Sequence, residues 1–340
     1  MSSLAEQFRR HFDHREHLYG VLLAELADDL EAGGPTAQIC RDALGATRAD
    51  AVHLRLLAGI FRIVLRGDAP QLRPFYPCLG GTEPAEKCWP VLRSVLPEYA
   101  EELRESLTLP PQTNEVGRSA ALAVGLFEAI RHHGIHRVRL LEPGASAGLN
   151  LNVARYRFTG PGWAAGPADS QLALETEAVG IRPQPFEVVS RRGCDLAPVD
   201  IATVEGRDYL TSFVWPWQVD RHARLSAAFG IAAEHPVPVD RAPASRWIAD
   251  QLSRPAETDV LTVVWESITR QYWPSEESTA VDAAIAQARE RIPLAHITLE
   301  GLPPTQGTDG YAVVTHGSQL LVDGRLVART HHHGIPIVPL

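Results

Sequence analysis

One stretch limits what this chain can become: Val138-Arg139-Leu140-Leu141-Glu142-Pro143-Gly144-Ala145-Ser146-Ala147-Gly148-Leu149-Asn150-Leu151. Its apolar start reads as a short buried strand, its middle as a tight turn of small residues, and its end as the first turn of a helix. Gly144 and Gly148 bracket the turn and allow positive φ or a close approach of backbone to a ligand. The helix after it would offer unpaired N–H groups and the positive end of its dipole. Such a turn either holds a nucleotide-like molecule or lifts a nucleophile.

The sequence before the stretch reads as helical. Ser3 and Glu6 form a capping-box pattern, and Leu18, Val21, Leu22, Leu26 and Leu30 recur at helical spacing. His11, His14 and His17 share one face of that helix and read as surface histidines, because no carboxylate or cysteine has matching spacing. Further helices are expected from about Ala37 to Leu44, Ala49 to Leu65, Pro84 to Val95 and Glu98 to Ser106. Between them, Leu72 to Thr82 is a loop of prolines and aromatics ending in Gly80-Gly81. Residues 1 to 110 are therefore expected to be an all-helical region. At 111 the chain enters Gln112-Thr113-Asn114-Glu115-Val116-Gly117-Arg118, where Asn114 fits an N-cap and Glu115 a first turn. Arg118 is unfavourable at that end of a helix, which points to Glu115 or an anionic ligand as its partner.

After the stretch, strands alternate with helices. Leu172–Thr176, Phe186–Ser190, Val237–Asp240, Asp259–Glu266 and His296–Glu300 read as strands. One helix is expected to carry Trp215, Trp217, Arg221 and Leu225, another Ile248 and Leu252, and a third Glu276 to Arg291. Tyr311 to Thr315 and Leu320 to Val327 read as an antiparallel hairpin around Asp323-Gly324. Residues 111 to 340 thus predict an α/β domain, a mostly parallel sheet ending in an antiparallel hairpin, with a Gly/Pro-rich insertion near 160 to 180. A ligand of such a sheet lies off the carboxyl ends of its strands. His331-His332-His333 looks like a tag fragment, except that a native-looking tail comes after it.

Composition closes off several functions. The net charge of −9 over 340 residues, with the single lysine Lys87, makes nucleic acid a poor partner. Cys40, Cys78, Cys88 and Cys194 stand far apart with no C-x-x-C pair, so neither zinc ligation nor a disulfide framework is expected, and no metal is assigned. The polar amphipathic start does not resemble a signal peptide, and no apolar run approaches the roughly 18 residues of a membrane helix. The expectation is a cytoplasmic protein that acts on a small molecule.

The acid at the strand end, with glycines two and six residues later, here Glu142, Gly144 and Gly148, resembles the first motif of class I S-adenosylmethionine-dependent methyltransferases. Ser146 departs from it, standing where that motif usually has another glycine. The resemblance implies a Rossmann-like methyltransferase fold with S-adenosylmethionine as cofactor, and makes residues 1 to 110 a cap that covers the substrate. It places Glu142, Gly144, Ala145, Ser146, Gly148 and Asn150 around the cofactor. Asp195 would then hold the ribose, Asp240 the adenine edge, and Glu266, at the end of the most apolar strand, would join the cofactor set. Glu115 and Arg118 are the catalytic candidates, one as base or ammonium contact and the other as anchor for an anionic acceptor. Gln112–Ala120, Glu142–Leu151, Gly193–Asp200 and Val214-Trp215-Pro216 also resemble the bacterial family called domain of unknown function 2332 over nearly the whole chain.

Other classes stay open. Gly144-Ala145-Ser146-Ala147-Gly148 also fits the G-x-S-x-G nucleophile elbow, with Asp240 or Asp259 and then His316 in hydrolase order. Against it, helices rather than strands precede the turn. A dehydrogenase lacks its G-x-G-x-x-G, and a methyltransferase-like binding module without methyl transfer is the remaining alternative.

Overall fold

The structure, a computed structural model, describes residues 3–12, 14–255, 257–301 and 317–340. The chain divides into two compact units: Met1–Thr113 with Ala202–Ala223, and Asn114–Ile201 with Arg224–Leu340. Among the described residues no helix is long and apolar enough to cross a membrane.

The first unit contains helices and no strand among its described residues. Helix Leu4–His11 starts on the expected capping box, with Ser3 Oγ accepting the Glu6 N–H at 3.2 Å and Glu6 Oε2 accepting the Ser3 N–H at 3.0 Å. Leu22 and Leu26 of helix Leu18–Glu31 pack with Leu56, Ile60 and Phe61 of helix Val52–Arg66. That second helix ends at Gly67, whose φ of 83° lets the chain turn away. One helix ends at His11 and the next begins at Leu18, so His11, His14 and His17 do not share a helix. Only His14 meets the surface expectation: the His11 ring lies 4.1 Å from that of His53, and His17 stacks on Trp217 at 4.5 Å. Trp215 and Trp217 precede helix Val219–Glu234 instead of lying in it, and pack around Phe12 and Tyr19. Helix Val204–Ser212, unseen in the sequence, joins this unit as well.

The second unit is built on an eight-stranded sheet. Its strands are β1 (Arg137–Pro143), then, beyond a small sheet formed by β2 (Arg157–Gly160), β3 (Trp163–Ala165) and β4 (Ala173–Glu175), β5 (Glu187–Asp195), β6 (Val239–Arg241), β7 (Val260–Ser267), β8 (Leu294–Gly301), β9 (Ser318–Val322), β10 (Arg325–Thr330) and β11 (Ile337–Pro339). The order across the sheet is β11-β10-β9-β8-β7-β1-β5-β6. β6, β5, β1, β7 and β8 run parallel, and β9 to β11 add antiparallel strands at one edge. All eight residues of β7 are buried, as a central parallel strand with both faces covered requires. The β9–β10 hairpin turns at Asp323-Gly324, with φ of 53° and 76°. The expected strand at Tyr311–Thr315 lies outside the described residues.

Helices cover both faces of this sheet. Leu141 and Val264 are register partners and pack with Ile248 of helix Ala244–Ser253 and Ile285 of helix Ser275–Arg289. Helix Arg118–His133 lies on the other face, pressed so close that a Cβ on Gly125 would meet Ile297 Cγ2 at 2.6 Å. The expected insertion near 160 to 180 is occupied by the small β3-β2-β4 sheet.

Candidate functional site

The turn after β1 takes three positive φ values: Gly144 at 78°, Ser146 at 55° and Gly148 at 75°. It is tightly enclosed. A Cβ on Gly144 would meet Thr269 Oγ1 at 2.2 Å, and one on Gly148 would meet Val239 Cγ2 at 2.9 Å. Its backbone donors are engaged by the protein itself. Cys194 O accepts the Gly144 and Ala145 N–H groups at 2.8 and 2.9 Å, and Ala145 O accepts that of Gly148 at 2.8 Å. Asp195 Oδ2 accepts the Ser146 N–H at 2.9 Å, while Asn114 Oδ1 accepts those of Ala147 and Leu149, both at 3.1 Å.

Beyond the turn the chain winds into a seven-residue 3₁₀ helix, Leu149–Arg155, where the sequence suggested the start of an α-helix. The tighter winding brings Arg157 into β2 at once and leaves no extended dipole behind the turn. The turn therefore offers neither free amides nor a helix terminus to a phosphate.

Side-chain alternation then sorts the acids. Glu142 is adjacent to Leu141 in β1 and so lies on the opposite face, the face of helix Arg118–His133. Gly193 is its register partner, which puts Asp195 on that same face. Glu266 is two residues from Val264 and projects with Leu141. Asp240 pairs in register with Cys194, also on the Leu141 face.

Glu142 is fully buried, and burial pushes its carboxyl up to about 8. The Asn150 amide, the positive charge of Arg118 and, more weakly, the Trp265 indole pull the other way, while Asp195 adds to the rise. Asn150 is held by the Ser119 hydroxyl, which donates to its Oδ1 at 2.6 Å and so turns its amide nitrogen toward Glu142. Among the described residues Glu142 Oε2 still lacks a partner in full hydrogen-bond geometry, and the Trp265 indole, though it favours the carboxylate, falls short of that geometry at Nε1. A buried carboxyl oxygen without a donor is costly, which makes this oxygen the conspicuous unsatisfied group at the strand end.

Asp195 is used twice by its own surroundings: Oδ2 takes the Ser146 N–H, and Oδ1 the Ala197 N–H at 2.9 Å. Asp240 and Glu266, expected at the cofactor, take part in ion pairs within the fold. Asp240 forms a two-pronged pair with Arg192, 2.6 Å on each arm, and accepts the Trp247 N–H at 2.7 Å. Arg192 chiefly, then Trp247, holds the Asp240 carboxyl below its usual range. Burial alone would raise Glu266, but His296 at 3.0 Å and a close pair with Arg270 outweigh it and keep it low. Arg270 continues the network to Asp282. Both acids hold helices to the Leu141 face.

Arg118 lies near enough for its charge to act on Glu142, and neither it nor Glu115 is a simple helix-terminus group. The helix begins at Arg118 after Gly117, and Asn114, with φ of 30°, gives its side chain to the β1 turn instead of capping that helix. Glu115 is buried; its Oε1 accepts the Gly117 N–H at 3.1 Å, and its Oε2 lies 3.4 Å from His333 Nδ1. Arg118 donates to His332 O at 2.9 Å and to Ser267 O at 3.2 Å.

The hydrolase constellation does not assemble from its expected acids. Asp240 is committed to Arg192, and Asp259 pairs with Arg137 at the opposite end of β1 from Ser146. His316 lies outside the described residues.

A family model described as an uncharacterized protein conserved in bacteria (DUF2332) matches residues 2–338. The chain belongs to the DUF2332 family. No curated protein and no solved structure matches it. The match runs past His331-His332-His333, so in this DUF2332 protein the histidines lie inside the family's domain rather than in a tag. Sequence reasoning missed Ser119, at the start of helix Arg118–His133, and Trp265 and Glu300, near the ends of β7 and β8. Glu300, pushed up to about 7 chiefly by burial, accepts the Thr269 and Arg270 N–H groups. Its place at the end of an apolar strand was the one visible signal. A groove in the first unit, walled by Ile39 and Leu107, is bordered by charges paired with each other, Arg104 with Glu101.

Proposed function

We propose that the carboxyl end of β1 binds S-adenosylmethionine or its demethylated product, and that the protein is a methyltransferase of Rossmann-like type acting on a small-molecule acceptor. The observation that carries this reading is Glu142: a buried carboxyl with an unpartnered oxygen, set on a turn whose amides are already engaged. An ammonium group is the natural complement of that oxygen, and S-adenosylmethionine presents one while carrying no phosphate. A dinucleotide would need the amides and helix terminus that the turn lacks. The parallel order β6-β5-β1-β7-β8, with antiparallel strands beyond β8, supports the same reading, since a ligand of such a sheet lies off its carboxyl ends.

In this reading Gly144, Ala145, Ser146 and Gly148 give the cofactor a surface without side-chain bulk, and Asn150 orients Glu142. Asp195 accepts the Ser146 amide of the turn and that of Ala197, and keeps lone pairs for the ribose hydroxyls. Glu115 and Arg118 are positioning residues, and Arg118 favours the charged form of Glu142. Methyl transfer is an in-line displacement, so orientation and exclusion of water supply most of its rate. The test is calorimetric titration of the purified protein with S-adenosylmethionine, comparing wild type with Glu142→Gln. The proposal expects saturable binding that the substitution weakens; binding that ignores Glu142 would refute the assignment.

A further inference from the structure

We propose that His331, His332 and His333 form a site for a divalent late first-row metal ion, Zn²⁺ by its chemistry, with Glu115 as the carboxylate behind His333. One nitrogen from each imidazole can be chosen so that all three lie within 4.8 Å of one another. The rings themselves converge, with centroids 3.9, 4.0 and 4.9 Å apart. Neighbouring side chains on an extended strand point to opposite sides, so three consecutive rings meet only because the backbone turns here. That turn is closed by Gly334 N–H donating to His331 O at 2.8 Å, with Gly334 at φ 86°.

The turn is fixed from outside as well. A Cβ on Gly334 would meet Gly117 O at 2.4 Å, and one on Gly117 would meet His333 O at 2.5 Å. Arg118 Nε holds His332 O at 2.9 Å. The donors are therefore presented by a rigid, prearranged loop, which reduces the ordering cost of binding.

Glu115 completes the chemistry. Its side chain is 4% exposed and its Oε2 lies 3.4 Å from His333 Nδ1. A carboxylate behind an imidazole raises its basicity and helps to orient the ring, as is common at metal-binding histidines. His331 Nδ1 takes the His333 N–H at 3.2 Å, a long contact that an ion on the same lone pair would replace. Imidazoles backed by a carboxylate suit Zn²⁺, whose open sites use three protein ligands and leave a position for water. All three residues are partly exposed.

The site also has a structural consequence. The segment it fixes, Asn114 to Arg118, is the one whose Asn114 side chain holds the β1 turn. Metal binding would brace that turn without touching Glu142.

The experiment uses the full-length chain with no affinity tag, stripped with chelator and titrated with ZnCl₂ against a chromophoric competitor. One equivalent of tight binding is expected, weakened at least tenfold in His332→Ala and roughly tenfold in Glu115→Gln. Circular dichroism of each variant establishes that it is folded, and a zinc-dependent rise in wild-type Tm should shrink in His332→Ala. Failure of the wild type to take up zinc, or equal uptake by a folded His331→Ala/His332→Ala/His333→Ala protein, would overturn the proposal. Because the readout is zinc and not S-adenosylmethionine, its failure leaves the reading of Glu142 standing.

Discussion

Glu142 and Glu266 sit near the carboxyl ends of neighbouring strands and project from opposite faces of the sheet. One is a buried carboxyl with an oxygen unused; the other is locked between Arg270 and His296. The two acids therefore meet different surroundings on the two faces of one sheet.

Glu142 should make the protein less stable as pH rises. Its folded-state carboxyl lies at about 8 against an ordinary value of 4.5, so the folded form holds the proton more tightly. Its contribution is fully present below 4.5 and is lost as pH rises through 8, by an amount on the order of a few kcal/mol. Denaturant unfolding of wild type and Glu142→Gln across that window should show a slope in the first that is reduced in the second. Parallel profiles would mean that Glu142 does not titrate as described.

Glu266 carries the opposite sign. Its carboxyl is held low in the folded state, so its contribution is present above 4.5 and lost on acidification through its depressed value. Glu266→Gln leaves Arg270 and His296 without this charged partner, and breaking a buried pair typically costs about 3–5 kcal/mol. Chemical denaturation at pH 7 measures this; a loss under about 1 kcal/mol would contradict the buried network.

Asn114→Ala should destabilise the protein by roughly 2 kcal/mol or more, because Ala147 and Leu149 both lose the acceptor of a buried N–H. Asn114→Asp keeps an acceptor oxygen and should lose less. Thermal melts of the pair distinguish this role from a helix cap, which would cost about 1 kcal/mol and leave the β1 turn protected from hydrogen exchange.

Gly144→Ala should be costly before any ligand is considered. The residue sits at φ 78°, and the added methyl would meet Thr269 Oγ1 at 2.2 Å. Thr269→Ala in the same chain removes that nearest atom and should recover part of the lost stability. No recovery would show that backbone strain alone sets the cost.

Much of the frame was legible. The apolar run at Val260–Ser267, the small-residue turn at 144–148 and the Asp323-Gly324 hairpin each come from local periodicity or turn chemistry. The relations hidden from the sequence are those across distance. Asn114 looks like a cap because its neighbours begin a helix, yet its partners lie 33 and 35 residues away. Asp240 and Glu266 look like ligand acids because they end strands, but only the register between strands tells which face they share. The short β2–β4 strands carry too little alternation to stand out from a Gly/Pro-rich excursion. Histidines 331 to 333 read as an appendage until the turn brings their rings together.

The most direct test of the central claim is the affinity of three folded proteins for S-adenosylmethionine, measured by calorimetry in one buffer at about pH 7: wild type, Glu142→Gln and Asp240→Asn. The account predicts saturable binding by wild type, at least a tenfold loss in Glu142→Gln, about 1.4 kcal/mol, and little change in Asp240→Asn, whose carboxylate serves Arg192 and Trp247. Absence of binding by folded wild type, or an affinity that survives Glu142→Gln while Asp240→Asn abolishes it, would contradict the account.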